Sequence, residues 1–330
     1  MNDFLKIGII IPAYKVEQYI FRALDSCIAQ TYKNIEVVVV DDGSPDGTFD
    51  VIKTYADKDD RIKLYRQENS GVSSARNKAL DMCTADYVLF LDSDDWLEPD
   101  AVEKLIQRAG SNKEERALIS SGCYYAYFNE SNEIYKEIPE NATIETTLTS
   151  DEVLMFVGQS KYNLRSSCYK LFSLDLINEN RLRFDPGIRH GEDGLFVFEY
   201  LKHADKFVFF PDPLWNILER PGSATMSPYN RSKMSALTAI EKMLAYDNRE
   251  ELQKALRVFY VQRALYVLGD AVCASPIPKE DVKFLRKKLR LEFGMYMKTQ
   301  KSFKLKILYL LETFAPKKIV AKTIEGRKKK

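Results

Sequence analysis

Residues 6–110 alternate between short, continuous apolar runs and segments in which apolar residues recur every three or four positions. The runs predict buried β-strands, and the spacing predicts amphipathic helices. The predicted strands cover residues 7–11, 35–40, 62–65 and 87–91, and the predicted helices cover residues 16–28, 49–56, 73–82 and 100–109. This alternation indicates an α/β fold with a mostly parallel sheet and helices on both faces.

The remaining sequence divides into a mixed part and a helical part. Between residues 111 and 225 the pattern predicts strands at 118–128 and 207–210 and helices at 151–157 and 194–203. Beyond Pro228 the apolar spacing is almost entirely helical, with breaks near Asn248 and at 275–278. We therefore expect a first domain over residues 1–225, with an internal division near residue 110, and a helical C-terminal region over residues 226–330.

Charge is distributed unevenly along the 330 residues, although the formal net charge is only +1. Residues 279–330 contain 17 Lys and Arg against 5 Asp and Glu, whereas the preceding sequence is net acidic. This basic tail predicts an anionic partner for the tail alone. Five widely spaced cysteines with no C-x-x-C pair favour a reduced, cytosolic setting, and no apolar run is long enough to predict a membrane-spanning helix.

The histidine content limits the possible chemistry. Two histidines, His190 and His203, make a multi-histidine zinc site nearly impossible, and no cysteine spacing compensates for them. A bound metal must therefore be held mainly by carboxylate oxygens, which select Mg²⁺ or Mn²⁺. For the same reason, a general base is expected to be Asp or Glu.

Two acidic groups follow predicted strands: Asp41-Asp42-Gly43-Ser44 and Asp92-Ser93-Asp94-Asp95. In open α/β sheets, ligands bind beyond the carboxyl ends of the strands, so both groups are expected at one crevice. Each group alone has a simpler interpretation. The first fits a turn with Gly43 at positive φ, and the second fits a solvated loop in which Asp95 caps the next helix.

Several segments in a fixed order carry a resemblance to a known family: Ile10-Ile11-Pro12-Ala13-Tyr14, Gln30-Thr31-Tyr32, Val39-Val40-Asp41-Asp42-Gly43-Ser44, Asn69-x-Gly71 with Ala75-Arg76-Asn77, and Leu91-Asp92-Ser93-Asp94-Asp95. The chain resembles the inverting, nucleotide-sugar-dependent glycosyltransferases of family 2, which have the GT-A fold. The likeness is close over residues 6–105 and looser to residue 225. It implies a nucleotide-binding part over about residues 1–110 and an acceptor part over about residues 111–225.

The resemblance also implies an activity and a setting. A hexose or N-acetylhexosamine would pass from a UDP-sugar to a glycan or polyprenyl-linked saccharide acceptor, in cell-surface polysaccharide synthesis of the bacterial capsule, exopolysaccharide or O-antigen type. The protein would be cytoplasmic and peripheral on the inner face of the cell membrane.

The resemblance assigns a donor site residue by residue. Pro12, Ala13 and Tyr14 would form the first strand-to-helix loop, where the uridine base lies, and Asp41 would accept hydrogen bonds from the uracil edge. Asp92 would hold the ribose or a metal-bound water, and Asp94 would hold the Mn²⁺ or Mg²⁺ ion that bridges the diphosphate. Further nucleotide-sugar contacts are implied for Asp42, Asn69, Arg76, Ser93, Arg220 and Ser223. The alternative for Arg76 is an ordinary ion pair on a helix surface.

Gly191-Glu192-Asp193 resembles the family's catalytic-base motif. The resemblance implies that Asp193 is the general base, that Glu192 could exchange roles with it, and that His190 lines the acceptor site or touches the metal. The alternative interpretation makes Asp193 a helix N-cap. The implied mechanism is a single displacement, in which Asp193 removes the proton of an acceptor hydroxyl and the anomeric configuration inverts.

Two other functions stay open at this point. A sugar-nucleotide nucleotidyltransferase also uses a Rossmann-like sheet and Mg²⁺, but it would need a glycine-rich, lysine-bearing loop that residues 12–15 do not supply. The other is a catalytically silent sugar-nucleotide-binding scaffold held at the membrane by its tail.

An apolar stripe in the tail comprises Phe303, Ile307, Leu310, Leu311 and Phe314, with lysines around it. The stripe predicts either an interfacial helix on an anionic membrane or a terminal helix packed on the body with a solvated basic face. Nucleic acid is not expected as a partner, because the predicted catalytic groups give it no role.

Overall fold

The computed structural model describes residues 5–109, 116–128, 134–138, 144–159, 162–220, 228–299 and 303–315. Its strands are β1 (Ile7–Ala13), β2 (Ile35–Asp41), β3 (Ile62–Arg66), β4 (Tyr87–Phe90), β5 (Trp96–Leu97), β6 (Ala117–Phe128), β7 (Ile134–Glu137), β8 (Thr146–Thr149), β9 (Lys170–Ser173) and β10 (Lys206–Leu218). Its helices are α1 (Ile20–Ile28), α2 (Thr48–Ala56), α3 (Val72–Met82), α4 (Ala101–Ala109), α5 (Ser150–Leu154), α6 (Leu174–Glu179), α7 (Glu192–Leu201), α8 (Ser235–Tyr246), α9 (Glu250–Cys273), α10 (Lys279–Thr299) and α11 (Phe303–Phe314).

The strands form one sheet in the order β3-β2-β1-β4-β9-β6-β10-β5, with β7 paired to β6 and β8 paired to β10. Strands β1 to β4 are parallel neighbours, as predicted. Strand β9 lies antiparallel between β4 and β6 and links the two halves of the sheet. The predicted fold class, an α/β sheet with helices on both faces and a helical C-terminal region, is confirmed.

The core follows from the continuous apolar runs. Every residue of β1 and β2 is buried, so both faces of these strands are covered. Helix α1 turns its apolar face, with Ile20 and Leu24, into the same cluster as β1. Its short apolar repeat therefore packs against a strand instead of facing water.

Strand β1 continues through Pro12 to Ala13, whereas the sequence predicts its end before Pro12. The extension is possible because β4 ends opposite Ile10, and from there on β1 pairs with β2 alone. Pro12, which has no amide hydrogen, therefore lies beyond the last register pair of β1 with β4. Pro12 and Ala13 are buried strand residues, and Tyr14 is the exposed residue that follows them.

Contacts divide the chain into two compact units. The first comprises residues 1–156, 160–186 and 196–221, and the second comprises residues 157–159, 187–195 and 222–330. The second unit contains α8 to α11, with helix breaks at 247–249 and 274–278, where the sequence predicts them. Its core includes Tyr296 stacked on Tyr309, with ring centroids 4.8 Å apart.

Helix α11 has a packed side and an exposed side. Tyr309 and Thr313 are fully buried, while Ile307, Leu310 and Phe314 of the predicted stripe are exposed. The side chain of Phe303 and residues 316–330 lie outside the described part of the chain. Within the described residues, no helix combines the length and apolarity that crossing a membrane requires. The five cysteines, all of which are described, are free thiols.

Candidate active site

Asp41 ends β2 at the carboxyl edge of the sheet. It is fully buried, and its Oδ2 lies 3.1 Å from Nε of Arg66. Its Oδ1 accepts a hydrogen bond from the Ser44 amide at 3.3 Å. Among the described residues, Oδ2 of Asp41 has no hydrogen-bond partner. A buried acceptor without a hydrogen bond is costly in a finished structure and is therefore a candidate contact for a ligand.

The Asp42 carboxylate, by contrast, is hydrogen-bonded by other groups of the protein. Its carboxylate accepts hydrogen bonds from Gln67 Nε2 at 2.7 Å and from the amides of Ser70 and Gly71, both at 2.8 Å. The Asn69 side chain donates to the Asp42 carbonyl at 3.0 Å. These bonds fasten the loop before α3 to the end of β2, so Asp42 and Asn69 hold the two loops together.

Arg76 projects from α3 toward the second acidic group. Its side chain is 3% exposed, and Nη2 donates to Oδ1 of Asp92 at 2.8 Å, whereas the Asp92 side chain is 43% exposed. The guanidinium also lies over the ring of Phe184, 5.1 Å from the centroid. Arg76 is therefore not part of a helix-surface pair: it is a buried cation that holds a carboxylate at the opening of the site.

Asp94 is paired with Arg220, which follows β10. Nε and Nη2 of Arg220 lie 3.0 and 2.9 Å from Oδ2 of Asp94, and the guanidinium stacks 4.3 Å from the ring centroid of Tyr19. Burial and the charge of Asp92 raise the pKa of Asp94 even though Arg220 acts to lower it. The fixed positive charge therefore does not fully compensate the carboxylates at this position.

The sequence position of Asp95 predicts that it caps the next helix, but the structure shows that it does not. Asp95 is buried. Its Oδ1 instead accepts the amide of Leu218 in β10 at 2.9 Å, and α4 begins six residues after it, at Ala101. Burial, followed by the charges of Asp92 and Asp94, raises the pKa of Asp95 well above its usual range. The Asp95 side chain anchors the acidic loop to β10, and Ser93 is buried beside it.

These carboxylates fit a hard divalent cation. The described residues contain no group of three or more metal-ligating side chains. Mg²⁺ and Mn²⁺ are typically bound in such sites by one or two carboxylates, with water and substrate phosphate as the other ligands. Asp92 and Asp94 are carboxylates of the kind that such sites use, and burial, followed by the charge of Asp92, raises the pKa of Asp94.

The Gly191-Glu192-Asp193 motif lies in the second unit. The Gly191 carbonyl accepts the Leu195 amide at 3.1 Å, so α7 starts at Glu192 and Asp193 is its second residue. The interpretation of Asp193 as an N-cap is therefore wrong. His190 Nε2 lies 3.1 Å from Ser232 Oγ, and burial, Lys233 and Arg263 lower its pKa. Ser223 lies outside the described residues.

Comparisons with known proteins identify the family of the chain. The family model "Glycosyl transferase family 2" matches residues 8–179. The chain belongs to glycosyltransferase family 2. It is therefore a transferase of glycosyl groups with the GT-A fold.

This family 2 glycosyltransferase has named relatives. It is 37% identical over 228 residues to "Glycosyltransferase GlyA" of Streptococcus pneumoniae. The matched residues cover 66% of this chain and 31% of GlyA, so the chain spans about a third of that protein. It is 29% identical over 292 residues to "Uncharacterized glycosyltransferase EpsJ" of Bacillus subtilis, covering 86% and 82% of the two chains. The structure of Staphylococcus aureus TarS 1-349 in complex with UDP-GlcNAc aligns with a TM-score of 0.71 and 20% identity, covering 98% and 92%.

Sequence reasoning did not single out Arg66, which pairs with Asp41 at the candidate site. Arg66 ends β3 and stands directly opposite Asp41 in the parallel register of β2 and β3. The rule that collects Asp41 and Asp92 at one edge applies equally to the last residue of β3. The sequence signal was therefore present, since an arginine at a strand end beside two acidic strand ends marks the same crevice.

Proposed function

We propose that this glycosyltransferase transfers a hexose or N-acetylhexosamine from a UDP-sugar to a hydroxyl of a glycan or polyprenyl-linked saccharide, with inversion at the anomeric carbon. The observation that carries the proposal is the carboxyl edge of the sheet, where Asp92 is paired with Arg76 and Asp94 with Arg220. Burial, followed by the charge of Asp92, raises the pKa of Asp94 at this edge. The TarS neighbours in complex with UDP-GlcNAc and UDP support a UDP-sugar as donor. Neither the nucleotidyltransferase nor the silent scaffold gains support from the comparisons.

Donor recognition divides between the two acidic groups. Asp41 has a buried oxygen without a hydrogen bond, which suits an N–H donor on a uracil edge. Pro12, Ala13 and Tyr14, at the end of the adjacent strand β1, would lie beside the base in this proposal. Asp92, Ser93 and Asp94 face the ribose and diphosphate in this proposal. Asp42 and Asn69 support the loop, and Arg76 and Arg220 supply fixed positive charge for phosphate or base oxygens.

A divalent cation would be held by Asp94 and Asp92, and it would supply neutralisation of the charge that develops on the leaving diphosphate. Mn²⁺ is present in one related structure, a mannosyltransferase of Pyrobaculum calidifontis solved with GDP-Man and Mn²⁺ at 15% identity and a TM-score of 0.55. Arg220, which contacts Asp94, must release part of its hold on Oδ2 for a cation to bind there.

Asp193 acts as the general base and Glu192 as its neighbour. In a single displacement, the acceptor hydroxyl loses its proton to the Asp193 carboxylate while its oxygen bonds to the anomeric carbon. The bond from that carbon to the diphosphate oxygen breaks on the opposite face, so the configuration inverts. Both acids lie in the first turn of α7, where the exposed helix amides favour negative charge.

The test compares Asp193→Asn with Glu192→Gln. Removing a positioned base typically costs about 10²- to 10⁴-fold in turnover. We expect Asp193→Asn to lose activity by this factor while UDP affinity, measured by calorimetry, stays within twofold. Asp175→Asn is the matched control, because Asp175 is an exposed carboxylate in the first turn of α6. Full activity of Asp193→Asn would overturn the base assignment, and loss in Glu192→Gln alone would transfer the role to Glu192.

An anionic membrane is the proposed partner of the helical unit. The exposed side of α10 carries Lys283, Phe284, Lys287, Arg290, Leu291 and Lys298, at helical spacing on one face. Leu291 is 73% exposed, which places a large apolar side chain among cations. A basic face with exposed apolar residues suits the boundary between headgroups and acyl chains, where each Lys or Arg contributes about 1 kcal/mol.

Charge reversal tests this surface better than truncation, because α10 also contributes Val282, Leu285 and Leu289 to the core of its unit. We expect Lys283→Glu/Lys287→Glu/Arg290→Glu to lose co-sedimentation with vesicles containing anionic lipid. Lys53→Glu/Lys58→Glu/Lys63→Glu changes the net charge equally at exposed positions of the first unit and should still co-sediment. Equal vesicle binding by the two triple variants would contradict a specific role for α10.

A further inference from the structure

Ser235, the first residue of α8, makes three hydrogen bonds with its hydroxyl. Oγ accepts the amides of Arg189 and His190, each at 3.1 Å, and donates to the Ser232 carbonyl at 2.6 Å. A hydroxyl has one donor hydrogen and two acceptor lone pairs, so all of its capacity is used. Because the proton is directed at Ser232, both lone pairs face the two successive amides.

Gly191, the next residue along the chain, packs against the same helix. Its φ of +89° belongs to the left-handed region, and a Cβ there would lie 3.3 Å from Cβ of Ala239 and 3.4 Å from Cα of Ala236. Glycine and the two alanines thus allow the backbone to approach α8 closely. The ring of His190, the residue before Gly191, contacts Ser232 Oγ.

We propose that Ser235 is a positioning residue for the catalytic base. It fixes residues 189–190, Gly191 packs on α8, and the Gly191 carbonyl accepts the first hydrogen bond of α7, whose second residue is Asp193. The backbone position of Asp193 is therefore set by α8 of the helical unit. This inference rests on the proposed role of Asp193 as the base.

The geometry gives the positioning a measurable consequence. A misplacement of about 1 Å in a catalytic group can cost about 10²-fold in rate without changing the chemistry of the group itself. Ser235→Ala removes the acceptor of two amides and leaves the donor-site residues of the first unit unaltered. Its effect should therefore appear in kcat and leave donor affinity intact.

We expect Ser235→Ala to lower kcat by about tenfold to a hundredfold, with KM for the UDP-sugar and Kd for UDP within twofold of the parent chain. Ser235→Thr keeps the oxygen and should restore most of kcat. Thr238→Ala is the matched control, since it deletes an exposed hydroxyl three residues further along α8. Hydrogen exchange of the peptide covering residues 187–195 should accelerate in Ser235→Ala alone.

Combining Ser235→Ala with Asp193→Asn separates the two hypotheses. If Ser235 acts through Asp193, the double variant is no slower than Asp193→Asn. Multiplied losses, or an Ser235→Ala defect that Thr does not restore, would overturn the positioning role. Full activity of Ser235→Ala beside an inactive Asp193→Asn would overturn this inference alone. Full activity of Asp193→Asn would remove the base assignment, and the inference with it.

Discussion

The two ends of the parallel sheet in the first unit treat buried carboxylates in opposite ways. At the amino end, Glu36 of β2 accepts hydrogen bonds from Lys6 Nζ at 2.7 Å, the Thr84 amide at 2.6 Å and Cys83 Sγ at 3.2 Å. Burial alone would raise the pKa of Glu36, but these bonds outweigh it and the pKa is lowered. At the carboxyl end, the pKa of Asp94 and that of Asp95 are raised.

The difference separates a structural carboxylate, Glu36, from the carboxylates that we propose as ligand-binding, Asp92 and Asp94. Glu36 has donors in sufficient number, so its charge is stabilised by the protein alone. The acidic loop keeps its negative charges close together in spite of Arg76 and Arg220, and a cation or a hydroxyl-bearing ligand would relieve that repulsion. A pKa raised by burial and like charge, at the edge where α/β sheets bind ligands, is the physical mark of the site.

The largest effect is expected from Asp94→Asn. The variant keeps the shape of the side chain and removes the charge, so metal-dependent UDP binding and transfer should fall by at least about 10²-fold. The thermal midpoint should stay level or rise, because burial and the charge of Asp92 outweigh the pairing with Arg220 and disfavour the charged form of Asp94. Glu36→Gln should show the reverse pattern, with activity kept and the midpoint lowered. Calorimetry with UDP and Mn²⁺ that shows unchanged affinity for Asp94→Asn would contradict the metal assignment.

A glycine at each end gives the second comparison. Gly43 has a φ of +71°, and a Cβ there would lie 2.9 Å from the Asn69 amide, so Gly43→Ala should destabilise the fold by about 1–3 kcal/mol and weaken UDP binding. Gly8→Ala places a Cβ against Cys83 Sγ at the other end and should cost a similar amount through overpacking. UDP affinity of Gly8→Ala should be unchanged. An equal loss of UDP affinity in both variants would contradict the assignment of UDP binding to the carboxyl end of the sheet.

The parts of the fold with local signals were predictable from the sequence. Strands β1 to β4 are continuous apolar runs, and their parallel order places Asp41 and the acidic loop at one edge. Strand β9 was missed, because a buried lysine, Lys170, lies within it and its pairing depends on β4 and β6. Its Nζ donates hydrogen bonds to the carbonyls of Asn163 and Ser166, and no local sequence pattern predicts these bonds.

Site geometry was less predictable than site composition. The motifs identify Asp92, Asp94 and Arg220, but the pairing of Arg220 with Asp94 joins residues 126 positions apart. Ser235 had no sequence signal, since its role depends on α8 meeting a loop 45 residues earlier in the chain. Motifs name chemically capable residues, whereas long-range packing decides which of them are held by the protein.

A smaller effect is expected from Glu36→Gln, and its pH dependence tests the amino end directly. Removing one partner of this buried cluster should lower the free energy of unfolding at pH 7 by about 1–3 kcal/mol. Because folding lowers the pKa of Glu36, its contribution is present above the ordinary value of 4.5 and is lost as the pH falls through the folded pKa. Urea unfolding at pH 7 and near pH 3 should therefore show the two chains converging in acid. A constant difference would contradict the assignment.

The smallest effect concerns the competition for Asp94. The Arg220 guanidinium lies 2.9 Å from Oδ2, where a cation would bind, so Arg220→Gln should bind Mn²⁺ alone about threefold to fivefold more tightly, as expected for removing a partly exposed ion pair. Binding of UDP should weaken, because a fixed positive charge is lost. Arg66→Gln is the control, since Arg66 pairs with Asp41 and should leave Mn²⁺ affinity unchanged. Electron paramagnetic resonance of free Mn²⁺ at pH 8 measures both variants. Equal Mn²⁺ affinity in Arg220→Gln and the parent chain would show that Arg220 and the cation do not compete for Asp94.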